Sequence, residues 1–106
     1  MIASATIDDA VEILADAARP LKIILFGSYA QGAPTEESDV DLLVIERNVS
    51  DKLGEMVRLR RLLRPLRIPV DVLVYSEEEV REWGHLPGTA LYWALKQGKV
   101  LHEAAG

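Results

Sequence analysis

Phe26-Gly27-Ser28-Tyr29-Ala30-Gln31-Gly32-Ala33-Pro34-Thr35-Glu36-Glu37-Ser38-Asp39-Val40-Asp41 is the stretch on which the reading of this chain turns. Leu21 to Phe26 leads into it as an apolar run short enough to be a buried strand, and Gly27-Ser28 closes that run. Tyr29-Ala30-Gln31 has room for about one helical turn before Gly32 and Pro34 stop it. Asp39-Val40-Asp41 then opens a second apolar run, Leu42-Leu43-Val44-Ile45. Side chains two apart on a strand share a face, so Asp39 and Asp41 point the same way with α-carbons roughly 6.8 Å apart. Two carboxylates aimed together at the mouth of an apolar sheet repel each other unless a cation lies between them. That is an argument for a metal site. Glycine at the strand end lets the backbone approach a ligand, amides at the start of a helical turn attract phosphate, and Ser28 adds a hydroxyl donor. Taken alone, Gly27-Ser28 is an ordinary turn; the aspartates downstream are what give it a ligand to serve.

Outward from this stretch, the rest of the chain reads as support. Thr6 with Asp9 marks a helix start, and Ile7, Ala10, Val11, Leu14, Ala17 and Ala18 recur at helical spacing over residues 7–18, with Pro20 as the stop. Ser50 caps an expected helix over 51–64, whose apolar face holds Leu53, Met56, Val57, Leu59, Leu62 and Leu63. Arg58, Arg60, Arg61, Arg64 and Arg67 make the end of that helix a dense basic patch. The arginines suit the negative end of the helix dipole as a solvated face, and docking of a partner is the other use for them. Ile68 to Tyr75 is a third strand on which Asp71, Leu73 and Tyr75 share a face. If it neighbours the second strand, about 4.8 Å away, Asp71 joins Asp39 and Asp41. A lone aspartate in so apolar a run needs a partner, and a structural Asp71 bonded to an arginine or to backbone amides is the alternative. Ser76 with Glu79 is a capping box for a short helix to Trp83; Thr89 begins a last helix, 90–97, which Gly98 ends as a C-cap. Residues 99–102 are expected as a short edge strand. Trp83, Tyr92 and Trp93 are read as core, or in part as an exposed binding patch. His85, without a second His or Cys near it, is read as solvent-facing.

Composition narrows the classes. The 106 residues suit one domain across residues 1–106. There is no cysteine, which excludes disulfides and thiolate metal sites. The net charge of −5 argues against a broad nucleic-acid-gripping surface, though not against one nucleotide arriving with its own metal. No segment approaches the roughly 20 apolar residues of a membrane span and no signal-peptide pattern opens the chain, so a cytoplasmic location is expected.

Gly27-Ser28, ten residues, then Asp39-Val40-Asp41, with Asp71 on a later strand, resembles the signature of the nucleotidyltransferase fold shared with the DNA polymerase β superfamily. Nearly the whole chain is covered, and at this length it resembles the minimal nucleotidyltransferases, small partners of HEPN-domain proteins in toxin–antitoxin pairs. The resemblance implies an α/β (α+β) fold with a mixed sheet flanked by helices. It implies that Asp39, Asp41 and Asp71 hold Mg²⁺ (with Mn²⁺ as a substitute) and carry catalysis, while Gly27 and Ser28 bind the nucleotide. The substrate is then ATP or another nucleoside triphosphate, and AMP passes to a hydroxyl, expected to be a tyrosine of a HEPN-domain ribonuclease toxin. This chain would be the antitoxin, working in a hetero-oligomer. Two rivals stand beside that expectation. One is a non-catalytic nucleotide-binding antitoxin that covers the toxin. The other is transfer to a small acceptor such as an aminoglycoside, for which relatives carry an additional domain. The chain departs from the pattern at Gln31, where relatives often carry a basic residue, and Glu36 and Glu37 make the loop acidic.

Overall fold

Ile7, Ala10, Val11 and Leu14 are the buried stripe of the first helix, α1 (Ser4–Ala18). The computed structural model describes residues 1–105. The helix begins earlier than the Thr6 cap predicts. Ala3 occupies the cap position without a side-chain bond, and its carbonyl accepts from the Thr6 and Ile7 amides. At the other end Arg19 turns into the left-handed region (φ 45°) ahead of Pro20, because the residue before a proline is disfavoured in the helical conformation.

The strands β1 (Lys22–Phe26) and β2 (Val40–Glu46) run antiparallel, with Phe26 opposite Asp41. The helix α2 (Lys52–Leu63), extended by a 3₁₀ turn at Arg64–Leu66, crosses to β3 (Val70–Ser76), which lies parallel to β2. Its cap is Asp51 rather than Ser50: Asp51 Oδ1 accepts from the Gly54 amide at 3.0 Å. Pro65 falls in the 3₁₀ turn, where the missing amide costs the α-helix nothing. The expected capping box is present, with Ser76 and Glu79 satisfying each other's backbone amides at the head of α3 (Glu77–Trp83). Thr89 caps α4 (Ala90–Gln97), and β4 (Lys99–Glu103) pairs antiparallel with β1. The sheet order is β3-β2-β1-β4, and the sheet is mixed and flanked by helices, as the resemblance implies.

Alternation along the strands splits the core into two layers. Ile23, Leu25, Val40, Leu42, Val44, Val72 and Val74 pack beneath α1 and α2, the latter contributing Leu59 and Leu63. Ile24, Leu43 and Ile45 meet Leu91 and Ala94 of α4, with Leu73, Tyr75 and Val80 beside them. A fully buried Leu or Ile contributes about 1.5–3 kcal/mol, so strand register is strongly held. A slip of one residue would exchange the two faces, turning the aspartates toward the α1/α2 layer and the valines toward α4. Among the described residues no helix is long and apolar enough to cross a membrane.

The aromatics of the last two helices are not core. Trp83 is 51% exposed and Trp93 47%. Leu91 and Ala94 define the buried side of α4, and Trp93, two positions from Leu91, falls on the other side.

At the far end of β2 from the aspartates, Glu46 Oε2 is buried with no hydrogen-bond donor beside it. The neighbouring Glu55 carboxylate is already held by Arg58 at 2.7 and 2.9 Å. Burial first, then hydrogen bonding to and repulsion by Glu55, push the Glu46 carboxyl up to about 7, against the opposing pull of Arg58. Arg58 holds Glu55 below its ordinary value. A carboxyl with a raised folded pKa binds more protons in the native state, so Glu46 stabilises the fold in its protonated form. That contribution is lost between the ordinary 4.5 and about 7. We expect Glu46→Gln to melt above the wild type at pH 8 and the gap to close at pH 5. Parallel pH profiles for the two proteins would overturn this.

Candidate active site

Asp39, immediately before β2, and Asp41, its second residue, flank the fully buried Val40 and lie on the sheet face covered by α3 and α4. Asp71 is paired in register with Asp41 across the parallel β2/β3 ladder. Phe26 is opposite Asp41 on the other side, so Gly27 follows directly beside the carboxylate. The end of β1 and the beginnings of β2 and β3 therefore bring Gly27, Ser28, Asp39, Asp41 and Asp71 to one end of the sheet.

Electrostatics mark the centre of the group. Partial burial, and then the charges of Asp71 and Asp39, raise the affinity of Asp41 for a proton above the ordinary carboxylate value. Asp39 is exposed, and Asp41 and Asp71 are half-buried. Like charges crowded on a half-dry sheet edge favour uptake of a hard divalent cation, and the donors are all oxygen.

Gly27 supplies the space. Its φ of 75° lies in the left-handed region, and a Cβ at this position would collide with Asp41 Oδ2. Any side chain here would fill the ground between backbone and carboxylate. The Gly27 carbonyl accepts from the Ala30 and Gln31 amides at 3.1 and 3.2 Å, and that of Ser28 from Ala33 at 3.0 Å. The segment is thus a single helix-like coil whose first amides, those of Ser28 and Tyr29, stand at its open end. Tyr29 anchors it, its hydroxyl accepting from the Ile2 amide at 2.9 Å.

Beside this coil a cleft of about 150 Å³ runs between the β1 end and α4, lined in part by Phe26, Gly27, Gln31, Trp93 and Gln97. Gln31 Nε2 donates to Gln97 Oε1 at 3.2 Å across it. Helix α4 approaches β1 closely because Gly98 has no side chain: a Cβ would strike Ala94 O and Ile24 Cγ2. Gly98 is the C-cap that the sequence suggests, its amide donating to Ala94 O, but its φ of −76° is not left-handed, so glycine serves close approach here.

The three carboxylates share an edge but do not stand as a closed ligand set. Among the described residues no three His, Cys, Asp or Glu side chains converge as for a metal ion. Asp71 Oδ1 accepts from Arg60 Nη2, which also donates to Val72 O at 3.2 Å. Sequence reading anticipated an arginine partner for Asp71 only as the alternative to a metal role, and did not single out Arg60. Nothing local identifies it, since only the packing of α2 against β3 brings positions 60 and 71 together. His85 is exposed, as expected.

Comparison with known proteins agrees with this geometry. Residues 7–89 match the family model described as "Nucleotidyltransferase domain". A protein of Methanocaldococcus jannaschii named "Putative protein adenylyltransferase MJ0604" is 35% identical over 86 residues, 76% of this chain and 77% of that one. The crystal structure of a "putative nucleotidyltransferase" from Sulfolobus solfataricus has a TM-score of 0.59 at 26% identity, covering 92% of this chain and 86% of that one. The MNT antitoxin complex with a tri-AMPylated HEPN toxin of Shewanella oneidensis has a TM-score of 0.61, covering 95% of this chain and 72% of that one. At 21% identity that last likeness is one of fold. With the family model spanning most of its length and the glycine and aspartates at one sheet edge, this chain belongs to the nucleotidyltransferase domain family and is an enzyme of that class.

Proposed function

We propose that this chain moves AMP from ATP, or the corresponding nucleotide from another triphosphate, onto a tyrosine hydroxyl of a HEPN-domain ribonuclease toxin, and so acts as its antitoxin. The pairing of Asp41 with Asp71, beside a glycine that leaves Asp41 its space, carries this reading. Its choice of acceptor is supported by the fold likeness to an antitoxin bound to an AMPylated HEPN toxin. Asp39, Asp41 and Asp71 would hold Mg²⁺, or Mn²⁺ in its place, and a bound ion of this kind offsets charge on the triphosphate. Gly27 lets the coil approach the outer phosphates, and the amides and hydroxyl at its open end bind them. The acceptor oxygen forms a bond to the α-phosphorus as the bond to the β-phosphate oxygen breaks, and pyrophosphate leaves. The hydroxyl proton passes to Asp71, the remaining carboxylate on the adjacent strand. No protein nucleophile takes part.

One observation favours a second reading. Arg60 satisfies Asp71 without any metal, as a structural aspartate in a non-catalytic module that covers the toxin would require. The two separate in one experiment. The chain is expressed with the HEPN-domain protein proposed as its partner, the complex is incubated with ATP and Mg²⁺, and the partner is weighed by intact-protein mass spectrometry. Addition of AMP to a partner tyrosine is expected. A fully neutralised partner that stays unmodified would establish covering instead.

A further inference from the structure

Arg60 reaches from α2 across the β3 edge to a carboxylate already assigned two duties, ligand and proton acceptor. Its Nη2 donates to Asp71 Oδ1 and to Val72 O, which fixes the guanidinium on the strand. Its Nε is buried with no partner, so the side chain is not optimally satisfied where it lies. The ion pair is nevertheless half-open to solvent, with 42% of the Arg60 and 44% of the Asp71 side chain accessible. Pairs this exposed are worth little, up to about fivefold in an equilibrium constant. Across the ladder Asp41 has no such cation; its carboxyl feels the negative charges of Asp71 and Asp39. One member of the carboxylate group is thus capped by a fixed cation and the others are left in repulsion.

We propose that Arg60 is a positioning residue that latches Asp71 in a resting pair, which a divalent cation must break to draw all three carboxylates together. The latch orders the Asp71 side chain on its strand, and it would compete with a metal for that carboxylate. The inference rests on the reading of Asp71 as a metal ligand. It assigns Arg60 no contact with nucleotide or acceptor. A merely structural arginine and a competing one have opposite signatures, because losing a support weakens metal binding and losing a competitor strengthens it.

Mn²⁺ binding without nucleotide, followed by the electron paramagnetic resonance of the free ion, reads this out. The proteins are the wild type, Arg60→Met, Asp71→Asn and the double variant. Methionine retains much of the apolar stem of Arg60. Arg60→Met should bind Mn²⁺ more tightly, roughly threefold to tenfold, from the lost competition and the lost positive charge. Asp71→Asn should bind more weakly, and in the double variant the gain from Arg60→Met should vanish. Arg61→Met, which removes an equal charge from the next position on α2, should leave affinity unchanged. Arg60→Lys keeps the charge with a different reach and should fall between wild type and Arg60→Met, so it gives the answer if the methionine variant folds poorly. Equal or weaker binding in both Arg60 variants overturns the latch, as does a gain that persists beside Asp71→Asn. If Asp71→Asn alone leaves Mn²⁺ affinity unchanged, the ligand assignment fails and takes the inference with it.

Discussion

Asp39→Asn combined with Asp41→Asn is expected to abolish metal-dependent binding of ATP and to leave the fold intact. Asp41 lies beside Gly27, where an added Cβ would already collide with it, and Asp39 is close enough for its charge to act on Asp41. Changing a metal's outer-shell partners costs 10–100-fold in affinity, so the loss of two inner carboxylates is set at a hundredfold or more, on the order of a complete loss in calorimetry. The effect on stability runs the other way. Asp41 has a raised folded pKa, from burial and from the charges of Asp71 and Asp39. Its ionised form therefore opposes folding at neutral pH, and stability falls as pH rises through the window above the ordinary 3.8. An uncharged asparagine removes that penalty. The double variant should then melt no lower than the wild type at pH 7, a loss of function with no loss of stability. Titration with ATP in the presence and absence of Mn²⁺, beside thermal melts, tests both halves. Unchanged ATP affinity in a folded double variant would remove Asp39 and Asp41 from the site.

Most of this arrangement is legible in the chain because it rests on local rules. Alternation over Val40–Glu46 and Val70–Ser76 places Asp41 and Asp71 on one face and the valines on the other, whatever the strand order. The capping box at Ser76 and the Thr89 cap are likewise local and are found where they are expected. What escaped the sequence depends on packing between distant segments. The parallel register that sets Asp41 beside Asp71 follows from the resemblance and not from periodicity. In the sequence Arg60 is one of five arginines between positions 58 and 67, and only the docking of α2 singles it out. Trp83 and Trp93 are core or, in part, an exposed patch on the sequence alone, and the structure decides for exposure because their helices bury other positions. Ser50 lost the cap of α2 to Asp51, the next residue and an equally good oxygen acceptor.

Asp71→Asn is expected to separate catalysis from binding. Asp39, immediately before β2, and Asp41, its second residue, would be enough for one Mg²⁺ with a triphosphate, because that ion takes one or two carboxylates and fills its shell with phosphate oxygens and water. Transfer asks for more. The attacking hydroxyl must lose its proton as pyrophosphate departs, and Asp71, in register with Asp41, is the carboxylate left to accept it. Asparagine keeps the volume and removes both charge and basicity, and its amide cannot reproduce the ion pair with Arg60. That pair is half-exposed, so its loss costs the fold little. ATP affinity should stay within a few-fold of wild type, since the triphosphate leans on Asp39 and Asp41, while AMP transfer to the partner falls by about 10²–10⁴-fold, the range general-base catalysis supplies. Intact mass of the partner after incubation with ATP gives the rate, and growth of cells carrying the partner gives the consequence. If the variant rescues growth as well as the wild type while the partner stays unmodified, neutralisation needs no chemistry at Asp71. Arg60 would then be its permanent companion and not a latch.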